Sequence, residues 1–171
     1  MSTKIAICAD SHDNMPNIEK FLRFCADEKI KTMIHCGDVT TEKTREFFIE
    51  NFDGTIYFAD GNAEIIATHE QKRTNPFQRI KRTKVPFVGI NIGDCALGAC
   101  HKRDKALRLA RSGKYDFVFY GHSHKPWKEK IGATTLLNPG TLAGMFYRAT
   151  FATFDQTTHA AELILVDQLA P

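Results

Sequence analysis

The chain has 171 residues, of which 43% are hydrophobic and 25% charged, with a formal net charge of +3. This length suits one globular domain, so we expect a single domain over residues 1–171 with a sizeable buried core. No apolar stretch approaches the roughly 20 residues of a membrane helix, and the amino terminus lacks the apolar segment of a signal peptide, so we predict no membrane partner and a cytoplasmic location.

The first half of the chain predicts strands that alternate with helices. Three short apolar runs are typical of buried strands, at 4–9, 32–36 and 55–59. Two helices are predicted between them, over 16–28 and 41–51. The apolar residues of the first helix fall on one face, at Ile18, Phe21, Leu22 and Cys25. Thr41 is expected to cap the second helix.

The second half of the chain is richer in predicted strands. They lie over 85–92, 95–100 and 116–120, and within 128–137, 149–154 and 160–167. One further helix is predicted over 103–112. The basic segment 69–84 lacks periodicity and is interpreted as a solvated surface loop, although its charge would also attract phosphate. Strands that alternate with helices in the first half, followed by a run of strands in the second half, indicate an α/β protein with a second sheet.

Polar side chains follow these predicted strands at nearly every point where one ends. The set is Asp10, His12, Asp38, Asn62, His101, His122 and His124. In layered α/β folds, ligands collect at the carboxyl ends of strands, so we expect these side chains to converge. Carboxylate, amide and imidazole groups suit Mn, Fe, Zn or Ni better than a thiolate-loving ion. The sequence therefore predicts a divalent metal site.

Seven candidate ligands exceed the number that one ion normally takes, which predicts two metals. Asp38 stands between the two groups of ligands and is the natural bridge, because a carboxylate can bind two cations at once. Two ions about 3.5–4 Å apart form a clamp for phosphoryl transfer and acidify a bridging water. The expected reaction is in-line attack of a metal-bridging hydroxide on phosphorus. No nucleophile elbow or catalytic-cysteine signature offers another nucleophile.

Each of these residues also has an ordinary structural interpretation when it is taken alone. Asp10, Asp38 and Asn62 suit turns after strands, and His101 suits the start of the next helix. Turn chemistry does not call for four histidines at strand ends, so the joint pattern favours metal binding.

Several other reactive side chains are predicted to lie outside the site. His35 falls within a strand and is interpreted as a packed core histidine, while His69 and His159 are interpreted as surface residues. The five cysteines are scattered without a CxxC pair, so we expect free, mostly buried thiols. Among them Cys100 adjoins His101 but is interpreted as a neutral core or wall thiol. Trp127 and Phe146 suit either a substrate wall or ordinary packing.

The motifs in chain order resemble the calcineurin-like metallophosphoesterase pattern. They are D-x-H, G-D, G-N, a lone His and G-H-S-H, followed by N-P-G-T. From residue 4 to about 166, the chain resembles the small single-domain phosphodiesterases of bacteria and archaea in that superfamily. The resemblance implies a four-layer α-β-β-α sandwich of two mixed sheets, with two metals at one end.

The resemblance also assigns roles to individual residues. The first metal would take Asp10, His12 and His124, the second Asn62, His101 and His122, and Asp38 would bridge them. The catalytic set would be Asp38, Asn62 and His122, with Asn62 helping to cradle phosphate oxygens. The loop over 138–141 would support the site without ligating. The metals would be Mn, Ni, Zn, Fe or Mg, with Mn favoured.

The chain departs from the superfamily pattern at two positions. Where the family commonly has Thr-His-Gly-His, this chain has Ala99, Cys100, His101 and Lys102, so His101 is the one candidate ligand there. Many members carry a histidine after the asparagine, and here that position is Ala63. Because loss of a general acid costs about 10²–10⁴ in rate for poor leaving groups, we expect activated aryl phosphodiesters to be better substrates than alkyl ones.

The predicted function is a dinuclear-metal phosphoesterase, a phosphodiesterase acting on a small phosphate ester, with monoesters left open. The alternative is a catalytically silent interaction scaffold, because the superfamily resemblance extends to a small eukaryotic retromer subunit. A full ligand set favours the enzyme. The weak net charge and short chain argue against a nucleic acid partner. Self-association into a homo-oligomer is compatible with the sequence, which sets no subunit number.

Overall fold

The computed structural model describes residues 2–63 and 87–169. The α-helices whose bounds both lie in these residues are α1 (Met15–Asp27), α2 (Glu42–Asn51) and α3 (Arg103–Arg111). The strands are β1 (Lys4–Cys8), β2 (Thr32–His35), β3 (Thr55–Phe58), β4 (Phe87–Ile92), β5 (Cys95–Cys100), β6 (Phe117–Phe119), β7 (Trp127–Ile131), β8 (Thr134–Asn138), β9 (Thr150–Asp155) and β10 (Ala161–Leu165). A short 3₁₀ helix follows over Val166–Gln168. The predicted loop 69–84, with His69, lies outside the described residues.

The strands form two mixed sheets of five strands each, as the resemblance implies. The first sheet has the order β10-β9-β1-β2-β3, in which β1, β2 and β3 are parallel, β9 pairs antiparallel with β1, and β10 pairs antiparallel with β9. The second sheet has the order β4-β5-β6-β8-β7, in which β5, β6 and β8 are parallel and both edge strands are antiparallel. The α/β class and the two-sheet architecture are therefore confirmed.

The side chains of β1 point alternately into two different cores, which shows how the layers are built. Ala6 and Cys8 point to a core that β1 shares with α1 and α2, whereas Ile5 and Ile7 point to a second core between the two sheets. A third core lies between the second sheet and α3, around Val118. Because successive side chains of a strand face opposite sides, a strand buried on both faces reads as a continuous apolar run. The three cores give the layer order helix, sheet, sheet, helix.

The predicted helices begin and end within one residue of their observed bounds. Thr41 caps α2 as predicted: its Oγ1 accepts a hydrogen bond from the Thr44 N–H at 3.3 Å. Asn14, which the sequence did not single out, caps α1 by accepting from the Asn17 N–H at 3.3 Å. Among the described residues, no helix is long and apolar enough to cross a membrane.

The five cysteines are free and buried, as predicted. Cys100 packs in the core beneath α3, and its burial raises the pKa of the thiol to about 12. A thiol with such a pKa stays protonated at neutral pH. His35 is likewise buried, and His159 is exposed, in agreement with the sequence predictions.

Candidate metal centre

All seven predicted ligands converge on one place between the two sheets. Four follow strands of the first sheet and three follow strands of the second. Left-handed backbone conformations recur among them, with positive φ at Asp10, His12, Asp38, His122 and His124. Aspartate and histidine adopt this region more readily than most residues, but it is still strained. The sharp turns that it creates at the strand ends bring the side chains to a common point.

The first group of side chains is formed by Asp10, His12 and His124. The Nε2 atom of His124 lies 3.4 Å from Asp10 Oδ1 and 3.3 Å from His12 Nε2. The His12 Nε2 atom is 3.9 Å from the same carboxylate oxygen. Three donor atoms thus face one another at spacings that a single cation could span, as the resemblance implied for the first metal.

The second group of side chains surrounds His101. Its Nε2 atom lies 3.1 Å from Asn62 Oδ1, 3.2 Å from His122 Nδ1 and 3.4 Å from Asp38 Oδ2. The structure therefore brings together all three residues that the resemblance implied for the second metal. One of them is His101, whose neighbours in the sequence depart from the family motif. His101 is buried whereas His122 is exposed, so this group opens to solvent on one side.

The Asp38 carboxylate lies between the two groups. Its Oδ2 atom is 3.8 Å from His12 Nε2 and 3.4 Å from His101 Nε2, while its Oδ1 atom accepts a hydrogen bond from the Ala63 N–H at 2.9 Å. Burial alone would raise the pKa of Asp38, but the hydrogen bonds from His101 and Ala63 outweigh it and hold the pKa below its usual range. The carboxylate is therefore ionised at neutral pH.

Asp10 also reaches toward the second group. Donor atoms of Asp10, Asp38 and His101 all lie within 4.8 Å of one another, as do those of Asp10, His12 and His124. The resemblance assigns Asp10 to the first metal alone, whereas in the structure the Asp10 and Asp38 carboxylates both lie close to imidazoles of both groups. The His122 N–H donates to Asp10 Oδ2 at 2.9 Å and fixes the orientation of the carboxylate.

The outward nitrogens of two histidines show that the donor set fits metal ions. His101 Nδ1 lies 2.9 Å from the Cys36 carbonyl, and His124 Nδ1 lies 3.3 Å from the Met145 carbonyl. A carbonyl only accepts hydrogen bonds, so each Nδ1 must carry a proton. Each Nε2 then either carries a second proton, which it donates to a carboxylate, or, in the neutral imidazole, presents its lone pair to a cation. This is the tautomer that a ligating histidine adopts when a backbone carbonyl holds its other nitrogen.

The carboxylates and imidazoles alter one another's pKa values. For His124, the hydrogen bond with Asp10 raises the pKa. For His101, burial alone would lower the pKa. The hydrogen bond with Asp38 and the charge of Asp10 outweigh that effect, so the pKa is raised. Burial and the nearby charge of His101 lower the pKa of His122. Protons and cations therefore compete for the same nitrogens, which makes metal affinity depend on pH.

Glycines in the motifs allow the two sheets to approach at this point. A Cβ atom on Gly61 would lie 2.2 Å from Asp38 Oδ1, and one on Gly121 would lie 2.7 Å from Asp10 Oδ2. No real Cβ atom comes so close, so each glycine leaves the space that a carboxylate occupies. The sequence showed these glycines before Asn62 and His122 without revealing their role. Their recurrence directly before a ligand is the signal that points to it.

The loop over 138–141 supports the site through hydrogen bonds, as the resemblance implied. Asn138 Nδ2 donates to the Gly121 carbonyl and to Ser123 Oγ, both at 3.0 Å. Thr141 Oγ1 donates to the Asp10 carbonyl at 3.0 Å. The carbonyl of Met145, which orients His124, was not predicted, because a backbone contact of this kind has no signature in the sequence.

A two-sheet α/β sandwich with carboxylate, amide and imidazole groups at its strand ends is the arrangement of the metallophosphoesterases. The chain belongs to this class: residues 3–159 match the calcineurin-like phosphoesterase superfamily domain. Membership identifies it as a phosphoric ester hydrolase by family, with candidate ligands for divalent metals.

Three known proteins illustrate the similarity. The chain is 32% identical over 151 residues to a phosphodiesterase of Methanocaldococcus jannaschii, covering 82% of this chain and 85% of that protein. It superposes on the structure of an archaeal phosphodiesterase with a TM-score of 0.78 and 27% identity, covering 95% of this chain and 99% of the other. The zinc complex of vacuolar protein sorting 29 from Entamoeba histolytica has a TM-score of 0.64 at 16% identity, covering 95% and 99% of the two chains, and shares the fold.

Proposed function

We propose that this chain is a phosphodiesterase that uses two divalent metal ions to hydrolyse a small phosphate ester. The observation that carries the proposal is the position of Asp38, one oxygen of which lies within 3.8 Å of donor nitrogens from both ligand groups. The similarity to a phosphodiesterase of Methanocaldococcus jannaschii supports the substrate class. We also propose manganese as the working ion and the cytoplasm as the location.

The residues of the chain would divide the work as follows. One ion would be held by Asp10, His12 and His124, the other by Asn62, His101 and His122, with Asp38 shared. Bound there, the ions would supply charge neutralisation for the phosphate and acidify the attacking water. The hydrogen bond from the Ala63 N–H keeps the Asp38 carboxylate ionised and fixed in orientation. The exposed side of His122 leaves an approach for the substrate.

The proposal is tested by hydrolysis of bis(4-nitrophenyl) phosphate after metal removal and reconstitution with Mn, Ni, Zn or Mg. We expect turnover that depends on the added ion. An Asp38→Asn variant should lose at least about 100-fold in kcat, because a buried charge at the reacting centre is removed. Asp53→Asn is the matched control, since Asp53 pairs with Lys31 on an exposed surface.

The same assay separates the enzyme from a scaffold of the same fold. Turnover at the background rate with every ion would support the scaffold, whereas full turnover by Asp38→Asn would contradict the role given to Asp38. Vacuolar protein sorting 29 shares the fold at low identity, so the fold alone does not separate the two functions.

Ala63 leads to a second prediction about the reaction. Its backbone N–H contacts Asp38, so its side chain lies beside the centre, where many superfamily members carry a histidine. Without that acid, we expect log kcat to fall steeply as the pKa of the leaving group rises. An Ala63→His variant should flatten this dependence and increase turnover of alkyl diesters roughly tenfold or more. A flat dependence in the wild-type enzyme would contradict the prediction.

A further inference from the structure

Three consecutive large apolar side chains are exposed beside the candidate metal centre. Met145, Phe146 and Tyr147 expose 43%, 84% and 45% of their surface. Phe146 contacts the site directly: its ring centroid lies 5.5 Å from that of His124, at an interplanar angle of 49°. A contiguous exposed apolar patch commonly marks a binding surface. The sequence left open whether Phe146 packs or lines a substrate wall, and its exposure excludes packing.

The loop that carries Phe146 is anchored by hydrogen bonds at both ends. On one side, Asn17 Nδ2 donates to the Leu142 carbonyl at 2.9 Å and Asn14 Nδ2 donates to the Ala143 carbonyl at 2.8 Å. On the other side, the guanidinium of Arg148 pairs with both carboxylate oxygens of Asp167. These contacts hold the tip of the loop in place beside the metal centre.

The backbone of Phe146 is strained. Its φ of +66° lies in the left-handed region, which is a genuine outlier for a bulky residue. Such strain persists only where the surroundings impose it, and it clusters at sites that bind ligands. Here an unfavourable backbone conformation presents an apolar ring to water. Apart from its contact with His124, the ring of Phe146 is exposed, so a role in binding accounts for both features.

We propose that Phe146 is a stacking platform for a flat aromatic ring on one ester group of the substrate. The proposal rests on the proposed function and specifies its substrate class: a phosphodiester bearing an aryl group or a nucleobase. A ring joined to phosphorus through an ester linkage would lie beside the imidazole of His124, where the Phe146 face is open. Aromatic faces bind such rings by offset or edge contacts. Met145, with its flexible thioether, would adapt the edge of the platform.

The test measures binding of phenylphosphonate and methylphosphonate to the Mn-loaded protein by calorimetry. Both carry a phosphorus–carbon bond and are not turned over, so the readout does not depend on catalysis. We expect phenylphosphonate to bind about five- to tenfold more tightly, the size of one aromatic stacking contact. A second pair, adenosine 5′-monophosphate and ribose 5-phosphate, asks whether a nucleobase gains the same advantage as an aryl ring.

The variants isolate the ring of Phe146. Phe146→Asn removes the ring without adding backbone strain, since asparagine adopts the left-handed region, and should abolish the preference for phenylphosphonate while methylphosphonate binding stays the same. Phe146→Tyr should retain the preference. Leu163→Ala is the control, because Leu163 is an exposed apolar residue on β10.

Each outcome has a separate meaning. A preference for phenylphosphonate that survives in Phe146→Asn would overturn the proposal. If the oligomeric state of that variant also changed, the exposed patch would be assigned to contact with a second copy of the chain. Failure of the Mn-loaded protein to bind either phosphonate would overturn the proposed function together with this inference. Methylphosphonate binding with no phenyl preference in the wild type would overturn the inference alone.

Discussion

At the scale of single residues, His35 links the two strand ends that carry Asp10 and Asp38. Its Nδ1 atom accepts a hydrogen bond from the Gly37 N–H at 3.2 Å, and its Nε2 atom lies 3.1 Å from Ser11 Oγ. The side chain is fully buried. Burial and the charge of Arg45 lower the pKa of His35 to about 3. The imidazole is therefore neutral, and a proton on Nδ1 would displace the bond from Gly37.

This burial makes the free energy of unfolding depend on pH. The folded-state pKa lies below the unfolded value of 6.5, so the stabilisation is present above 6.5 and is lost as the pH falls toward about 3. We expect His35 to contribute a loss of about 1.4 kcal/mol per pH unit over that range. In metal-free protein, urea unfolding of His35→Asn should show a correspondingly flatter dependence. The exposed His159→Asn variant is the control, and an equal slope in His35→Asn and wild type would contradict the argument.

Sequence and structure contribute differently at this scale. The convergence of the seven candidate ligands could be predicted because each follows a strand end in a recognisable motif, and neighbouring donor atoms lie 3.1–3.9 Å apart. Their role as metal ligands stays a prediction. The tautomers of His101 and His124 could not be predicted, because backbone carbonyls that are remote in sequence determine them. The same holds for the exposure of Phe146, which depends on how its loop is anchored.

At the scale of elements, the glycines that precede the ligands set how closely the strand ends approach. Asn62 follows Gly61, and a Cβ atom there would meet Asp38 Oδ1 and the Asp38 backbone nitrogen within 2.6 Å. The end of β3 could then no longer lie against the end of β2. Because the obstructing atoms include backbone, the clash cannot be relieved by moving a flexible side chain.

A Gly61→Ala variant should therefore lose about 10–100-fold in metal affinity and in activity, comparable to the removal of a supporting contact at a metal site. Gly132→Asn is the control: Gly132 has a φ of +61° with open space around it, and asparagine tolerates that conformation. Titration of Mn²⁺ followed by calorimetry measures both variants. Wild-type affinity in Gly61→Ala would show that the strand ends can separate without harm to the site.

Element bounds were predictable where local chemistry decides them. Thr41 and the apolar periodicity of residues 16–28 identified the helices, and short apolar runs identified the parallel strands. The pairing of β9 with β1 was not predictable, since it joins Thr150–Asp155 to the other end of the chain. Such long-range pairing depends on the packing of the whole sandwich, which no local pattern records.

At the scale of the whole molecule, the candidate ligands join the two sheets. Asp10, Asp38 and Asn62 follow strands of the first sheet, while His101 and His122 follow β5 and β6 of the second. Ions bound between them would connect the layers across the central core. Since metal binds the folded state, folding and metal binding are coupled.

Metal addition should therefore raise the melting temperature. At a free Mn²⁺ concentration 100 times the dissociation constant, one site contributes about 2.7 kcal/mol, which corresponds to a rise of roughly 5–10 °C for a chain of this size. A chelator should reverse the rise. Scanning calorimetry of Asp38→Asn should show a smaller shift, and Asp53→Asn should match the wild type. An unchanged melting temperature with and without saturating Mn²⁺ would contradict the coupling.

The central claim is a pair of metal ions that share Asp38, and the metal content of the purified protein tests it most directly. After saturation with Mn²⁺ and removal of unbound ions, elemental analysis should find two ions per chain in the wild type and one or fewer in Asp38→Asn. A wild-type content of one ion or less, or two ions retained by Asp38→Asn, would contradict the bridged pair.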